Sequence, residues 1–228
     1  MSAVAEGLER VRVRLAAAVL SAGRPADYVQ LIAVSKFQPA GAIREAYAAG
    51  QRDFGENYVQ ELQEKAAELA ELSDLRWHLI GHLQRNKARS VVGIASLIHT
   101  VHSAELAREL DKRATSELRV LVEVNVGGEA QKGGCAPAEL AQVLEAIAAT
   151  KQLRVAGLMC VPPATPEPSG AKPYFDELAR LRDVHGGAQR LPELSMGMTA
   201  DLEYAVAAGA TMVRVGTAIF GHRPQAGG

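Results

Sequence analysis

A chain of 228 residues, 48% hydrophobic and 22% charged, is long enough for one large core and lies within the range of a single α/β barrel. A formal net charge of −1 with no Lys/Arg block argues against a nucleic-acid or anionic-membrane surface, so the expected partner is a small molecule. The two cysteines, Cys135 and Cys160, have no metal-ligand spacing and suggest no disulfide framework. No apolar run reaches membrane-spanning length, and Glu6 and Glu9 fall where a signal peptide would carry positive charge, so a cytoplasmic protein is expected.

Val4, Leu8, Val11, Leu15 and Val19 step by three and four, so residues 3–21 read as an amphipathic helix. From there short β-branched runs alternate with helical stretches. Strands are predicted at 29–35, 53–54, 76–80, 96–100, 119–124, 154–159, 193–195 and 212–215. Helices are predicted near 40–49, 58–72, 84–91, 104–115, 137–150, 173–185 and 200–208, with a short last one from Thr217. Eight such units behind a leading helix fit a single α/β domain over residues 1–228, a (β/α)8 TIM barrel, better than an open doubly wound sheet. The stretches IREAYAAGQRDFGEN and LEYAVAAGATMVRVG echo one another as helix, Ala-Ala-Gly, strand, Gly, which supports the architecture and says nothing about chemistry. The stretch CVPPATPEPSGAKP, residues 160–173, is long for a barrel connection and reads as a surface insertion in preference to a lid.

The run LIAVSK ends an apolar strand on a lysine. If Lys36 points into the barrel, Ile32 and Val34 share its face while Leu31, Ala33 and Ser35 face the helices, and Lys36 sits at the C-terminal mouth where barrel chemistry takes place. An apolar wall there makes a lysine a nucleophile toward carbonyls, although a strand-end lysine is more often a solvated charge. The segments LSMGMTADLEYA and VRVGTAIFG place Ser195, Gly197 and Thr199, then Gly216 and Thr217, in polar turns before helices. Turns after the seventh and eighth strands are the recurrent phosphate site of barrels, so a phosphorylated ligand is expected. Arg214 lies within the strand MVRV. Pointing inward, it binds that phosphate or meets the ring nitrogen of an aromatic cofactor; the plainer alternative is a barrel-end salt bridge to Glu56 or Glu123.

Six blocks, LIAVSK, DFGENYVQE, WHLIGHLQRNK, VNVGGEAQKGG, GLMCVPP and LSMGMTADLEYAVAAGATMVRVGTAIFG, run in this order from residue 31 to 221. Together they make the chain similar to the YggS/PROSC family of pyridoxal 5′-phosphate homeostasis proteins. The resemblance implies the barrel of the alanine racemase N-terminal domain without that enzyme's second, β domain. It implies pyridoxal 5′-phosphate (PLP) as cofactor, held by Lys36 as an internal aldimine, a Schiff base. Ser195, Gly216 and Thr217 would bind the phosphate, Arg214 would face the pyridine nitrogen, and Asn57 would lie beside the ring. Gln38 stands where some relatives carry a second lysine, which touches only a secondary cofactor position. Lys132, in EAQKGG, is the alternative attachment point and otherwise a loop charge.

A racemase needs a base on each face of the substrate carbanion, and the resembled enzyme supplies the second from the missing domain. Tyr58 and His82 read more simply as a helix-start aromatic and a loop histidine, and an arginine opposite the ring nitrogen weakens the electron sink. The expected function is therefore PLP binding and release in vitamin B6 homeostasis, without turnover and without a metal, by a monomer whose partners are PLP and PLP-dependent apo-enzymes. A PLP-dependent enzyme with weak amino-acid racemase activity is the alternative. Family aside, a Schiff-base aldolase acting on a phosphorylated sugar is a third reading.

Overall fold

The structure, a computed structural model, describes residues 2–221; the two ends of the expected 1–228 domain lie outside the described residues. Strands β1 (Gln30–Val34), β2 (Asp53–Glu56), β3 (Arg76–Leu79), β4 (Ala95–Val101), β5 (Leu118–Glu123), β6 (Leu153–Met159), β7 (Glu193–Ser195) and β8 (Met212–Val215) pair in parallel in chain order, and β8 closes on β1. Around them lie α1 (Ala3–Ser21), α2 (Ala40–Ala48), α3 (Val59–Glu68), α4 (Ala104–Arg113), α5 (Leu140–Ala148), α6 (Lys172–Val184), α7 (Gly187–Arg190), α8 (Leu202–Ala208) and α9 (Thr217–Phe220). This is the expected (β/α)8 barrel with an added N-terminal helix.

Side chains alternate in and out along each barrel strand, which divides the apolar residues into two cores. Ile32, Leu97, Leu121, Ala156, Met159 and Met212 form a small cluster inside the barrel. Leu31, Ala33, Phe54, Trp77, Val213 and Val215 belong to the much larger layer between strands and helices. Ile32 inside and Leu31 and Ala33 outside give β1 the expected parity. Pairing of Ile32 with Arg214 sets the register that closes the barrel.

Three connections differ from expectation. Residues 84–91 hold a 3-10 helix, Arg85–Ser90, in which only Ala88 is buried; a polar run with one buried side chain has no apolar stripe to hold an α-helix on the barrel. The expected helix at 137–150 divides into a 3-10 turn, Pro137–Glu139, and α5. The stretch 160–173 carries a 3-10 turn at Pro168–Ala171, and the short α7, which the periodicity does not announce, starts after Gly186 in the left-handed region.

The leading helix is fastened to the end of the barrel by close approach. A Cβ placed on Gly7 of α1 would sit 2.5 Å from the Ile219 carbonyl oxygen and 2.8 Å from that of Ala218, both backbone atoms of α9. Gly7→Ala should therefore lower the unfolding free energy by about 1–3 kcal/mol in urea titrations through overpacking, even though alanine is the better helix former by about 1 kcal/mol. An unchanged or raised stability would show that α1 rides loosely on α9.

Candidate functional site

The chain turns immediately after β1, and the turn that carries Lys36 is clamped from outside the barrel. The Ser35 hydroxyl donates to Glu56 Oε1 at 2.6 Å, and the Ser35 carbonyl accepts from Lys65 Nζ at 2.7 Å. Lys65, on α3, also donates to Glu56 Oε1 and Glu61 Oε2, each at 2.8 Å, and Glu61 Oε2 accepts the Phe37 N–H at 2.8 Å. Burial pushes the Glu56 carboxyl above its ordinary range while Lys65 pulls against it. Phe37 has a φ of 62°, strain that the clamp offsets. Within that turn Lys36 is half-buried and, among the described residues, has no hydrogen-bond or ion-pair partner.

Neighbouring strands bring further predicted residues to the same side of the mouth. Asn57 follows β2, and the absence of a side chain at Gly81 lets the chain after β3 press onto its carbonyl. Asn57 Oδ1 is buried without a hydrogen-bond partner. Gly216 follows β8 and lies against Val34; a Cβ there would come 3.0 Å from the Val34 carbonyl oxygen. Gly216 opens α9, whose first amides, on Thr217 and Ala218, meet no protein acceptor among the described residues. A cavity of about 820 Å³ beside the Lys36 turn is lined by Phe37, Asn57, Tyr58, Glu61, His82 and Lys87.

Arg214 and Ser195 meet inside the barrel. Arg214 is 5% exposed; its Nη1 donates to Ser195 Oγ at 2.6 Å and its Nη2 to the Cys160 carbonyl at 2.9 Å. Burial pulls its pKa below the ordinary value, partly opposed by the charges around it. The salt-bridge alternative is overturned: Glu56 has outward parity and pairs with Lys65, and Glu123 attracts Arg214 only from beyond ion-pair distance. Ser195 is fully buried at the end of β7, and its hydroxyl is already engaged by Arg214 and by His99 Nδ1 at 2.9 Å.

Other candidates fall away on geometry. Lys132 is held by the Pro162 carbonyl and by Glu129, each at 2.7 Å, so it is a fastened loop residue. Tyr58 packs its ring on Phe37 at 5.3 Å and is half exposed, and His82 stacks on His102 at 4.8 Å. The residues that sequence reasoning missed are His78 and His99, buried on β3 and β4; a histidine at an inward position of an otherwise apolar strand was the available signal. Both cysteine thiols are free and buried, and burial pushes each up to about 12. Glu123, at the end of β5, is buried with Oε2 unpartnered, and desolvation raises it to about 7.

The mouth thus offers an unpaired amine, a guanidinium with N–H groups to spare, an orphaned amide oxygen and free amides at a helical turn. That donor set fits a small anionic aromatic aldehyde. The fold defines the class: residues 12–224 match the family described as alanine racemase, N-terminal domain. Alanine racemase from Corynebacterium glutamicum shares this architecture at a TM-score of 0.70 and 20% identity; the match covers 99% of this chain and 62% of that one. Within the class, a pyridoxal phosphate homeostasis protein of Pseudomonas aeruginosa is 45% identical over 227 residues, covering 98% of this chain and 97% of that protein. PipY of Synechococcus elongatus, solved with PLP bound, is 42% identical at a TM-score of 0.81, covering 96% of this chain and 100% of that one. The chain belongs to the pyridoxal phosphate homeostasis protein family. Among the described residues, no helix is long and apolar enough to cross a membrane.

Glu123 generates a pH prediction. Its folded pKa of about 7 lies above the ordinary 4.5, so the native state binds the proton more tightly than the unfolded chain. Its contribution is fully favourable below the ordinary value and is lost as pH rises through the folded one. Glu123→Gln should therefore gain stability over the parent as pH rises from below the ordinary glutamate value to above 7, by on the order of 3 kcal/mol in all. Denaturant titrations across that range check it; a difference that does not change with pH would place the carboxylate in contact with water.

Proposed function

We propose that the chain binds PLP at the barrel mouth and serves intracellular PLP homeostasis by holding and releasing it without turnover. The observation that carries this reading is a Lys36 in the turn after β1 and a buried Arg214 on the adjacent β8, neither of which, among the described residues, has a carboxylate partner. Lys36, whose amine has no hydrogen-bond or ion-pair partner among the described residues, would hold the aldehyde end of the cofactor. Gly216 and Thr217, with the free amides at the start of α9, would hold the phosphate, and Asn57 would lie beside the ring. Arg214 would offer an unused N–H to the ring nitrogen, and Ser195 would serve by holding Arg214, where the resemblance implied a phosphate contact.

When bound, PLP supplies an electron-withdrawing ring able to stabilise a carbanion. This chain's residues work against using it. An arginine cannot readily give up its proton, so Arg214 leaves the ring nitrogen unprotonated. Tyr58 and His82, the side chains nearest in kind to a second base, are occupied by Phe37 and His102. The same reading makes the chain a cytoplasmic monomer that passes cofactor to apo-enzymes.

Lys36→Ala should abolish the visible absorbance of the bound cofactor and the borohydride-trapped adduct located by peptide mass spectrometry, while thermal unfolding stays within a few degrees of the parent because the residue adds little to the core. An adduct that moves to Lys132 would overturn the assignment. Exchange of the alanine α-proton in heavy water, at a rate above that of free PLP, would favour the weak racemase over the carrier.

A further inference from the structure

A chain of buried hydrogen bonds crosses the inside of the barrel from its N-terminal end to the mouth. At the bottom, Arg76 holds both carboxylate oxygens of Asp53, at 2.7 and 2.6 Å. Asp53 Oδ1 meets His78 Nε2 at 3.0 Å, His78 Nδ1 meets His99 Nε2 at 3.0 Å, and His99 Nδ1 meets Ser195 Oγ at 2.9 Å. Ser195 Oγ then meets Arg214 Nη1 at 2.6 Å. Asp53, His78, His99, Ser195 and Arg214 are each at most 5% exposed.

With both imidazoles neutral, the two ends set the direction of every link. Arg214 can only donate, and an ionised Asp53 can only accept. Burial alone would raise the Asp53 carboxyl, yet hydrogen bonds from Arg76 and His78 hold it below its ordinary range. Arg214 therefore donates to Ser195, whose proton goes to His99 Nδ1; His99 Nε2–H donates to His78 Nδ1, and His78 Nε2–H to Asp53. Each group between the charged ends is neutral and uses one donor and one acceptor. A further proton on His78 would reverse the links above it and place a third cation in a barrel where Asp53 already offsets Arg76. Burial also holds His99 well below its ordinary value.

We infer that Asp53, His78 and His99 are positioning residues for the cofactor site: their one-way hydrogen-bond chain aims Arg214 through Ser195. The effect on cofactor rests on the PLP reading above; the direction of the chain does not. Cofactor-free protein labelled with 15N in its histidines tests the direction. His78 and His99 should both show neutral Nε2–H imidazoles near neutral pH, and Ser195→Ala should shift the His99 Nδ1 resonance. An imidazolium or an Nδ1–H tautomer at either residue would overturn the inference, whatever happens with PLP.

PLP titrations then test the coupling. Asp53→Asn and His99→Gln, with folding checked by circular dichroism, should displace the bound-cofactor absorbance in the same direction as Arg214→Met and weaken binding by about 5-fold or more. If Arg214→Met changes both while the other two variants change neither, the coupling is refuted and the PLP reading stands. If Arg214→Met changes neither, the placement of Arg214 against the cofactor fails and takes the coupling with it. A parent protein that never takes up PLP would sink the cofactor reading alone, leaving the direction of the chain to the histidine spectra.

Discussion

The ladder between residues 30–33 and β8 is the constraint on which the molecule rests. It closes the sheet, so that no strand edge is left to solvent. It also makes neighbours of two turns separated by most of the chain: the one after β1, with Lys36, and the one after β8, with Gly216 and Thr217. Closure forces alternate side chains inward on every strand. Here the interior is shared between a compact apolar cluster and a polar chain from Asp53 to Arg214. An interior of this kind gives up some hydrophobic burial, and in return holds a cation under the mouth with its donors directed.

The outside of the barrel matters as much to Lys36 as the inside. Lys65 reaches past α3 to the Ser35 carbonyl and two carboxylates, so both backbone neighbours of Lys36 are tied to groups on the helix side. Buried ion pairs contribute little net stability once desolvation is counted, and their best-attested use is to select one arrangement. At this turn, the arrangement selected leaves the Lys36 amine without a hydrogen-bond or ion-pair partner among the described residues. Lys65 removes a competing conformation; Lys36 keeps its chemistry.

How much of this was legible in the sequence depends on how local each signal was. The strands and their order follow from alternating periodicity, and Lys36 and Arg214 stand out because each interrupts or ends an apolar run. Parity even assigns them to the inner face, because it needs only neighbouring residues. Ser195 was legible as a polar residue after strand seven, but its engagement was not, since its partner His99 lies 96 residues earlier. Lys65 reads as an ordinary helix-surface lysine until packing buries it against Glu56. The 3-10 turn at Arg85–Ser90 was missed because charge and helix propensity there favour a helix while too few side chains reach the core.

Cys135 and Cys160 acquire meaning from this setting. An aldehyde is attacked by thiolates as well as by amines, and a reactive cysteine near the mouth would compete with the lysine. Cys160 is the nearer concern, because its carbonyl is bound to Arg214. With both thiols buried and burial pushing each up to about 12, the thiolate form is disfavoured at neutral pH. Burial thus works against either sulfur competing with an amine for an aldehyde.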